Sequence, residues 1–218
     1  MNAGHPNVGV QAIVDQVRTA GLKPQVVDVR RGEALHSHPE AVIGTGGPGS
    51  PVDGGTGIDA TQDLLRHCID AGVPVLGICF TFQLLCLGHG ATVRKLRRPL
   101  MGIVELSGRS KDRWLGRAGK GPVFENRTLG VFGESDCLPL ETQGEQVIAA
   151  RFGDQAVGCA FHPEAATASV TAFLDQRTAI QVDPMRGDVF SRQASRLEHT
   201  RDLLLGGFLE SLRGRQPA

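Results

Sequence analysis

Apolar residues recur in this chain at two periods, and the switching between them sets the expected architecture. Val10, Ile13, Val14 and Val17 share one helical face that Gly21 closes, although Val8, Val10, Ala12 and Val14 also alternate, so a strand competes for these residues. Residues 25–29 and 41–43 read as strands, the second running into a Gly/Pro-rich loop at 44–57. Asp59 is placed as the N-cap of a helix with Leu64, Leu65, Cys68 and Ile69 on its apolar side and Gly72 at its end. Residues 73–78 are an apolar run expected as a buried strand, and 80–87 the helix that follows, broken by Gly88 and Gly90. Further strands are expected at 101–106, 129–132, 146–151 and 156–161, where short turns favour antiparallel pairing. Two helices close the chain: one at 167–176, and one on a stripe of Leu197, Leu204, Leu205, Phe208 and Leu212.

Strands alternating with amphipathic helices are the signature of βα units, so the expected fold is α/β. It is an open, mostly parallel, doubly wound sheet with some antiparallel strands. The 218 residues suit a single domain over 1–218. Such a sheet normally opens with a strand before its first helix. Only a handful of polar residues precede Val8, so that strand is expected to be absent, truncated or supplied by another segment.

Composition narrows the function. Lys+Arg and Asp+Glu are 23 each, which leaves no net charge to draw the chain to nucleic acid or an anionic membrane. A basic stretch holds Arg94, Lys95, Arg97, Arg98, Arg109, Lys111, Arg113, Arg117 and Lys120. It reads as a solvated face with enough local charge to dock an acidic partner, and it lacks the interleaved aromatics that stack bases. No signal peptide and no membrane-spanning run is recognisable, so neither a membrane nor a nucleic acid is an expected partner. The five cysteines, 68, 79, 86, 137 and 159, form no C-x-x-C pair and their number is odd, which fits a reducing cytoplasm. His36 and His38 have no ligand partners at metal spacing, and His89 in G-H-G reads as a turn residue, so no metal and no cofactor is expected.

The chemistry concentrates on one cysteine. In isolation Cys79 would be a small buried hydrophobe, like Cys68, Cys86 and Cys159, which sit on apolar faces; Cys137 is expected to be more exposed. The apolar strand 73–78 runs directly into G-I-C-F-T-F-Q at 77–83, however, and an apolar helix follows. A tight strand-to-helix turn holds a side chain clear of the backbone beside a helix N-terminus, whose partial positive charge favours a thiolate. A thiol with an ordinary pKa of about 8.5 still needs a base at neutral pH. His162, in F-H-P-E at the end of the strand 156–161, supplies one, and Glu164 can accept a hydrogen bond from the far imidazole nitrogen. The loop G-G-P-G-S-P at 46–51 has a phosphate loop as its rival reading, but no G-K-[ST] supports it.

These three segments, in this order, resemble the class I, triad-type glutamine amidotransferases over most of the chain. The resemblance implies a flavodoxin-like sheet and hydrolysis of the glutamine side-chain amide through a thioester, with ammonia passed to a synthetase domain or subunit. Carried over, Cys79 is the nucleophile, His162 the base, Glu164 its orienter, the backbone N–H groups of Gly47 and Phe80 the oxyanion hole, and Gln83 a glutamine-binding residue. The implied partners are glutamine and a separate synthetase subunit, with a homodimer left open. Two departures stand out. The family's elbow reads G-x-C-x-G-x-Q, and Thr81 occupies the second glycine, where a β-branched side chain is expected to displace Cys79 or narrow the pocket; a large gain in turnover from Thr81→Gly would show that this position limits the chemistry. The segment G-E-S-D-C at 133–137 replaces a histidine-bearing segment that helps bind the α-groups of glutamine. Two alternatives follow: a stand-alone γ-glutamyl hydrolase or peptidase, and a catalytically silent binding or scaffold subunit.

Overall fold

A computed structural model of the chain describes residues 8–31, 33, 38–47, 49–165 and 187–213. The helices are α1 (Val8–Thr19), α2 (Thr56–Asp70), α3 (Phe80–Gly88), α4 (Gly187–Arg201) and α5 (Gly207–Arg213). The strands are β1 (Val42–Gly44), β2 (Val75–Ile78), β3 (Thr92–Glu105), β4 (Pro122–Phe132), β5 (Leu138–Gln143), β6 (Gln146–Phe152) and β7 (Ala156–Cys159). Residues 1–7, ahead of which or among which a first strand is expected to be absent or truncated, and the expected helix at 167–176 fall outside the described residues, as does His36.

The chain divides into two compact units. One holds residues 25–100, 126–162 and 211–218. The sheet order is β1-β2-β7-β6-β4-β3, with β5 also paired to β6. Pairing is parallel between β1 and β2 and between β2 and β7, then antiparallel from β7 to β6 and from β6 to β4 and β5. The parallel strands β2 and β7 are buried at every position, as expected for strands covered on both faces. Antiparallel pairing begins where the connections shorten. Gly144, at φ 60°, makes the two-residue turn that sets Gln143 opposite Gln146.

Several expected elements take a different form. Residues 25–29 are not a strand: the chain is irregular there and enters a 3-10 turn at Val29–Arg31, with Val26 61% exposed. The turn is closed locally, by Arg31 N–H donating to Asp28 O and Asp28 N–H donating to Glu33 Oε2. Backbone groups satisfied within the segment are not left to pair with a sheet edge. Helix α2 starts at Thr56, before the expected cap, so Asp59 sits inside the first turn and acts on the helix dipole instead of capping it. Strand β3 runs from Thr92, well ahead of the expected 101, and β5 was not expected at all. The first part of β3, residues 92–99, is mostly exposed and carries four basic residues, and β5 has a single buried position, Glu141, so neither presents a buried apolar run. The first helix, the elbow helix and strand 146–151 form where the periodicity places them, while the expected strand 156–161 ends early, at Cys159.

What brings α3 down onto the sheet is a row of three glycines. Gly44 of β1, Gly77 of β2 and Gly158 of β7 are register partners across adjacent strands. A Cβ at Gly77 would lie 2.6 Å from Leu85 Cδ1 and 3.2 Å from the Phe82 backbone nitrogen. A Cβ at Gly158 would lie 2.8 Å from Phe82 Cδ2, and one at Gly44 would collide with the Thr81 side chain. Glycine inside a strand ordinarily weakens it, but here each one admits a side chain or the backbone of α3. The helix is buried from Phe80 to Cys86, and Phe82, Leu84 and Leu85 pack into the same cluster as Val75, Val131, Ile148 and Phe152.

The second unit holds residues 1–24, 101–125 and 163–210. Here Ile13 and Val14 of α1 are buried, and Phe124, Ala165 and Leu197 form a small core with Met101 and Ile103. Between α4 and α5 lies a π turn, Asp202–Gly206, and the buried indole of Trp114 donates to Leu204 O at 3.0 Å. The predicted stripe is seen, with Leu197, Leu204, Leu205 and Phe208 buried. The basic stretch is partly committed: Arg94 stacks 4.0 Å from the Phe132 ring centroid, and Arg117 pairs with Glu210 at 2.7 Å. No helix among the described residues is long and apolar enough to cross a membrane.

The glycine row gives a direct test. Gly158→Ala would set a methyl carbon 2.8 Å from Gly77 O, a backbone atom that cannot move alone, and is expected to cost about 1–3 kcal/mol in urea unfolding. Gly88→Ala, in the last turn of α3 with nothing within 4 Å, is expected instead to stabilise by about 0.5–1 kcal/mol.

Candidate active site

The site is built where β2 gives way to α3. Cys79, between them, has φ 50° and ψ −98° and is the one non-glycine among the described residues with positive φ. Such a conformation costs a β-carbon-bearing residue about 1–3 kcal/mol, and it persists only where the surroundings over-determine it. They do so here. Cys79 N–H donates to Cys159 O at 2.8 Å, and Cys79 O accepts from Gln83 N–H at 3.0 Å, the first hydrogen bond of the α3 ladder. The N–H of Phe80 precedes that ladder, as do all first-turn donors of a helix.

His162 arrives from the neighbouring strand. Beyond β7 the chain bends at Ala160 and Phe161, with Ala160 N–H donating to Ile148 O at 2.8 Å, and His162 follows, 7% exposed. Gly46 shows how close the two side chains come. A Cβ built there would be 2.9 Å from His162 Cε1, 3.7 Å from His162 Nδ1 and 3.3 Å from Cys79 Cβ. The cysteine and the imidazole therefore converge on one backbone position in the loop after β1. Glycine is needed there because any side chain would occupy the space between them.

The remaining candidates fall as follows. Gly47 is the next residue of that loop and is exposed, while Phe80 is 7% exposed at the first position of α3. Gln83 is buried in α3 at 4% exposure, and its backbone, one turn from the cysteine, carries the hydrogen bond to Cys79 O. Glu164 is 4% exposed in the turn after His162. Thr81 is 3% exposed; its Oγ1 donates to Thr45 O at 2.9 Å and its methyl occupies the space over Gly44. The β-branched residue is thus accommodated by a glycine on the adjoining strand, with the positive-φ turn at Cys79 formed. Gly44 and Gly46 are the residues that sequence reasoning missed. The signal was present as a glycine at every second position, Gly44 and Gly46, at the end of a strand, but the pattern looked like loop composition.

The other cysteines differ in kind. All five are free and buried. Burial pushes the Cys68 thiol up, and burial reinforced by nearby Cys137 pushes the Cys86 thiol well above the ordinary range, so both stay protonated at neutral pH and are poor nucleophiles. Cys137 is 8% exposed, not surface-placed as expected, with its sulfur 3.0 Å from Ser135 Oγ. Its segment, 133–137, is tied by Asp136 N–H to His89 O at 2.9 Å. His89 caps the far end of α3, roughly 13 Å of helix away from Cys79. No group of three or more His, Cys, Asp or Glu among the described residues is arranged to hold a metal ion.

A cysteine on a strained strand-to-helix turn, with an imidazole from the adjacent parallel strand converging on it, defines a protein suited to thiol-based acyl chemistry on an α/β scaffold. The family described as glutamine amidotransferase class-I matches residues 7–178, and the chain belongs to it. A GMP synthase [glutamine-hydrolyzing] of Tropheryma whipplei (strain Twist) is 26% identical over 184 residues, 80% of this chain but 35% of its own length. The chain thus spans about a third of that relative. Among solved structures, a glutamine amido transferase from Methylobacillus flagellatus superposes with a TM-score of 0.79 at 18% identity, covering 94% of this chain and 89% of that one. A glutamine amidotransferase from Thermotoga maritima gives 0.74 at 18% identity, with 92% and 91% covered. Both have the expected flavodoxin-like fold of the family, a mixed sheet with helices.

Strain at the elbow is measurable. Glycine tolerates φ 50° where alanine does not, so Cys79→Gly is expected to unfold at a higher urea concentration than Cys79→Ala, by about 1 kcal/mol. That order reverses the one found at an ordinary buried position, and equal stabilities would show that the turn carries no strain.

Proposed function

We propose that this chain hydrolyses the side-chain amide of glutamine through a thioester on Cys79 and supplies the ammonia to a separate synthetase. One observation carries the reading: Cys79, in its positive-φ turn, and His162 flank the same point at Gly46. In the proposed reaction His162 takes the thiol proton as the sulfur attacks the amide carbon. Backbone N–H groups of Phe80 and Gly47 hold the oxyanion that forms, an interaction worth about 3–4 kcal/mol per well-aimed donor. As the C–N bond breaks, His162 returns the proton to the departing nitrogen and ammonia leaves. A water molecule, deprotonated by the same imidazole, then cleaves the thioester to glutamate and restores the thiol.

Glu164, buried two residues beyond the base, is the proposed orienter of His162. Gln83 is the proposed contact to the glutamine substrate, one turn into the elbow helix. That a relative bearing the name GMP synthase [glutamine-hydrolyzing] matches this chain over 35% of its own length supports a synthetase as the ammonia acceptor. The free cysteines suit a reducing cytoplasm.

Glutamate release assayed with and without candidate synthetases tests the proposal. Cys79→Ala and His162→Ala are each expected to lower kcat by about 10³-fold or more. Glutamate release that survives Cys79→Ala undiminished would end the claim. Activity on γ-glutamyl peptides exceeding that on glutamine would assign the same site to a stand-alone hydrolase.

A further inference from the structure

Thr81 is the residue at which the elbow departs from its family's pattern, and its side chain is committed at both ends. Its hydroxyl donates to Thr45 O at 2.9 Å, and it is 3% exposed. A Cβ at Gly44 would lie 2.7 Å from Thr81 Oγ1 and 2.9 Å from Thr81 Cβ, with Thr81 Cγ2 nearer still. Residue 81 on α3 and residue 44 on β1 therefore share one volume: a side chain at either position requires glycine at the other. Residues 44–46 connect this contact to the chemistry, because Gly46 is where Cys79 and His162 converge.

We propose that Thr81 is a positioning residue that locks residues 44–46 against the elbow helix and so sets the approach of the loop backbone to Cys79 and His162. The inference rests on Cys79 being the nucleophile. The peptide unit explains how the lock transmits. Thr45 C=O and Gly46 N–H belong to one planar group, so holding the oxygen fixes the direction of the Gly46 amide and the path into Gly47. The Thr45 hydroxyl braces the same turn by donating to Gly46 O at 3.1 Å. The Thr81 methyl packed on Gly44 sets how far the end of β1 stands from α3. With glycine at 81 the hydroxyl is lost and the space over Gly44 opens, leaving the loop without either restraint. Thr81 thus supports the site instead of obstructing it, and Thr81→Gly is expected to lose turnover.

Five variants separate the two halves of the lock. Thr81→Ser keeps the hydroxyl, Thr81→Val keeps the branched shape, Thr81→Gly removes both, and Gly44→Ala is made alone and in combination with Thr81→Gly, the combination exchanging the glycine between partners. Steady-state glutaminase kinetics and the rate of Cys79 alkylation by iodoacetamide are measured for each, with urea unfolding as the check on folding. Thr81→Ser is expected to keep kcat within about 3-fold, and Thr81→Val to lose about 5–10-fold in kcat with KM for glutamine little changed, the worth of one neutral hydrogen bond. Thr81→Gly is expected to lose about 10²-fold, as a displaced backbone would cause. Gly44→Ala alone is expected to slow alkylation and lower the urea midpoint, and adding Thr81→Gly to restore the midpoint.

A Thr81→Gly enzyme faster than wild type overturns the inference. So does a Thr81→Val protein matching Thr81→Ser in both kcat and alkylation rate, or a Gly44→Ala defect that Thr81→Gly does not relieve. Failure of the underlying reading looks different: glutaminase activity would persist in Cys79→Ala. The lock is then decided by the alkylation rates and by the urea midpoints of the Gly44 and Thr81 exchange, neither of which needs turnover.

Discussion

The site depends on the close seating of one short helix on three strand glycines. Helix α3 spans only Phe80–Gly88, and an isolated helix of that length is not stable in water. Its stability comes from contact with the sheet, and that contact is possible because Gly44, Gly77 and Gly158 lie side by side in register and carry no side chains. Thr81 meets the first, Leu85 and the Phe82 backbone the second, and the Phe82 ring the third. Fully burying a side chain such as Phe82 or Leu84 contributes about 1.5–3 kcal/mol. Burying both contributes about 3–6 kcal/mol, more than the roughly 1–3 kcal/mol of strain held in the Cys79 backbone, which is why a positive-φ cysteine can persist between β2 and α3.

The same seating sets the geometry of the chemistry. The strand pairing that aligns Gly77 with Gly158 also aligns Ile78 with Cys159, and the next step along is the hydrogen bond from Cys79 N–H to Cys159 O. His162 is three residues beyond Cys159, so its position relative to Cys79 follows from register between two buried parallel strands and not from a mobile loop. On the other side, β1 pairs with β2 and delivers Gly46 two residues after Gly44. Cys79, the imidazole and Gly46 thus lie just beyond three consecutive strand ends of one sheet. Ligand sites in open α/β sheets lie at the carboxyl ends of parallel strands for this reason.

Much of this was legible in the sequence, and what was not has an identifiable physical cause. The apolar run before Cys79 and the F-H-P-E segment after the expected strand 156–161 are local signals, and they put Cys79 directly after β2 and His162 three residues after β7. Strand β5 and the first part of β3 escape because they present no buried apolar run, so pairing and not burial defines them. Residues 25–29 mislead in the opposite sense. Their β-branched pair Val26 and Val27 reads as a strand, yet Val26 is 61% exposed and the backbone closes on itself through Asp28. Register is invisible too: each strand glycine looks like an isolated weak point until Gly44↔Gly77 and Gly77↔Gly158 are seen as one row.

Thr81 illustrates why a departure from a motif cannot be weighed at its own position. A glycine in the elbow helix and a glycine at the end of β1 are two ways of clearing the same volume, because the helix and the strand approach each other there within a methyl group's reach. With Gly44 present, the threonine methyl fills space that would otherwise be a void, and close packing favours filled space. The hydroxyl, buried at 3% exposure, would be costly if unsatisfied, and Thr45 O accepts it. Both consequences of the substitution are answered by residues far away in sequence but adjacent in the sheet. Compensation of that kind leaves the strained turn at Cys79 and the approach of His162 intact, so the elbow is defined by the shape that helix and strands make together more than by glycine at any single place in it.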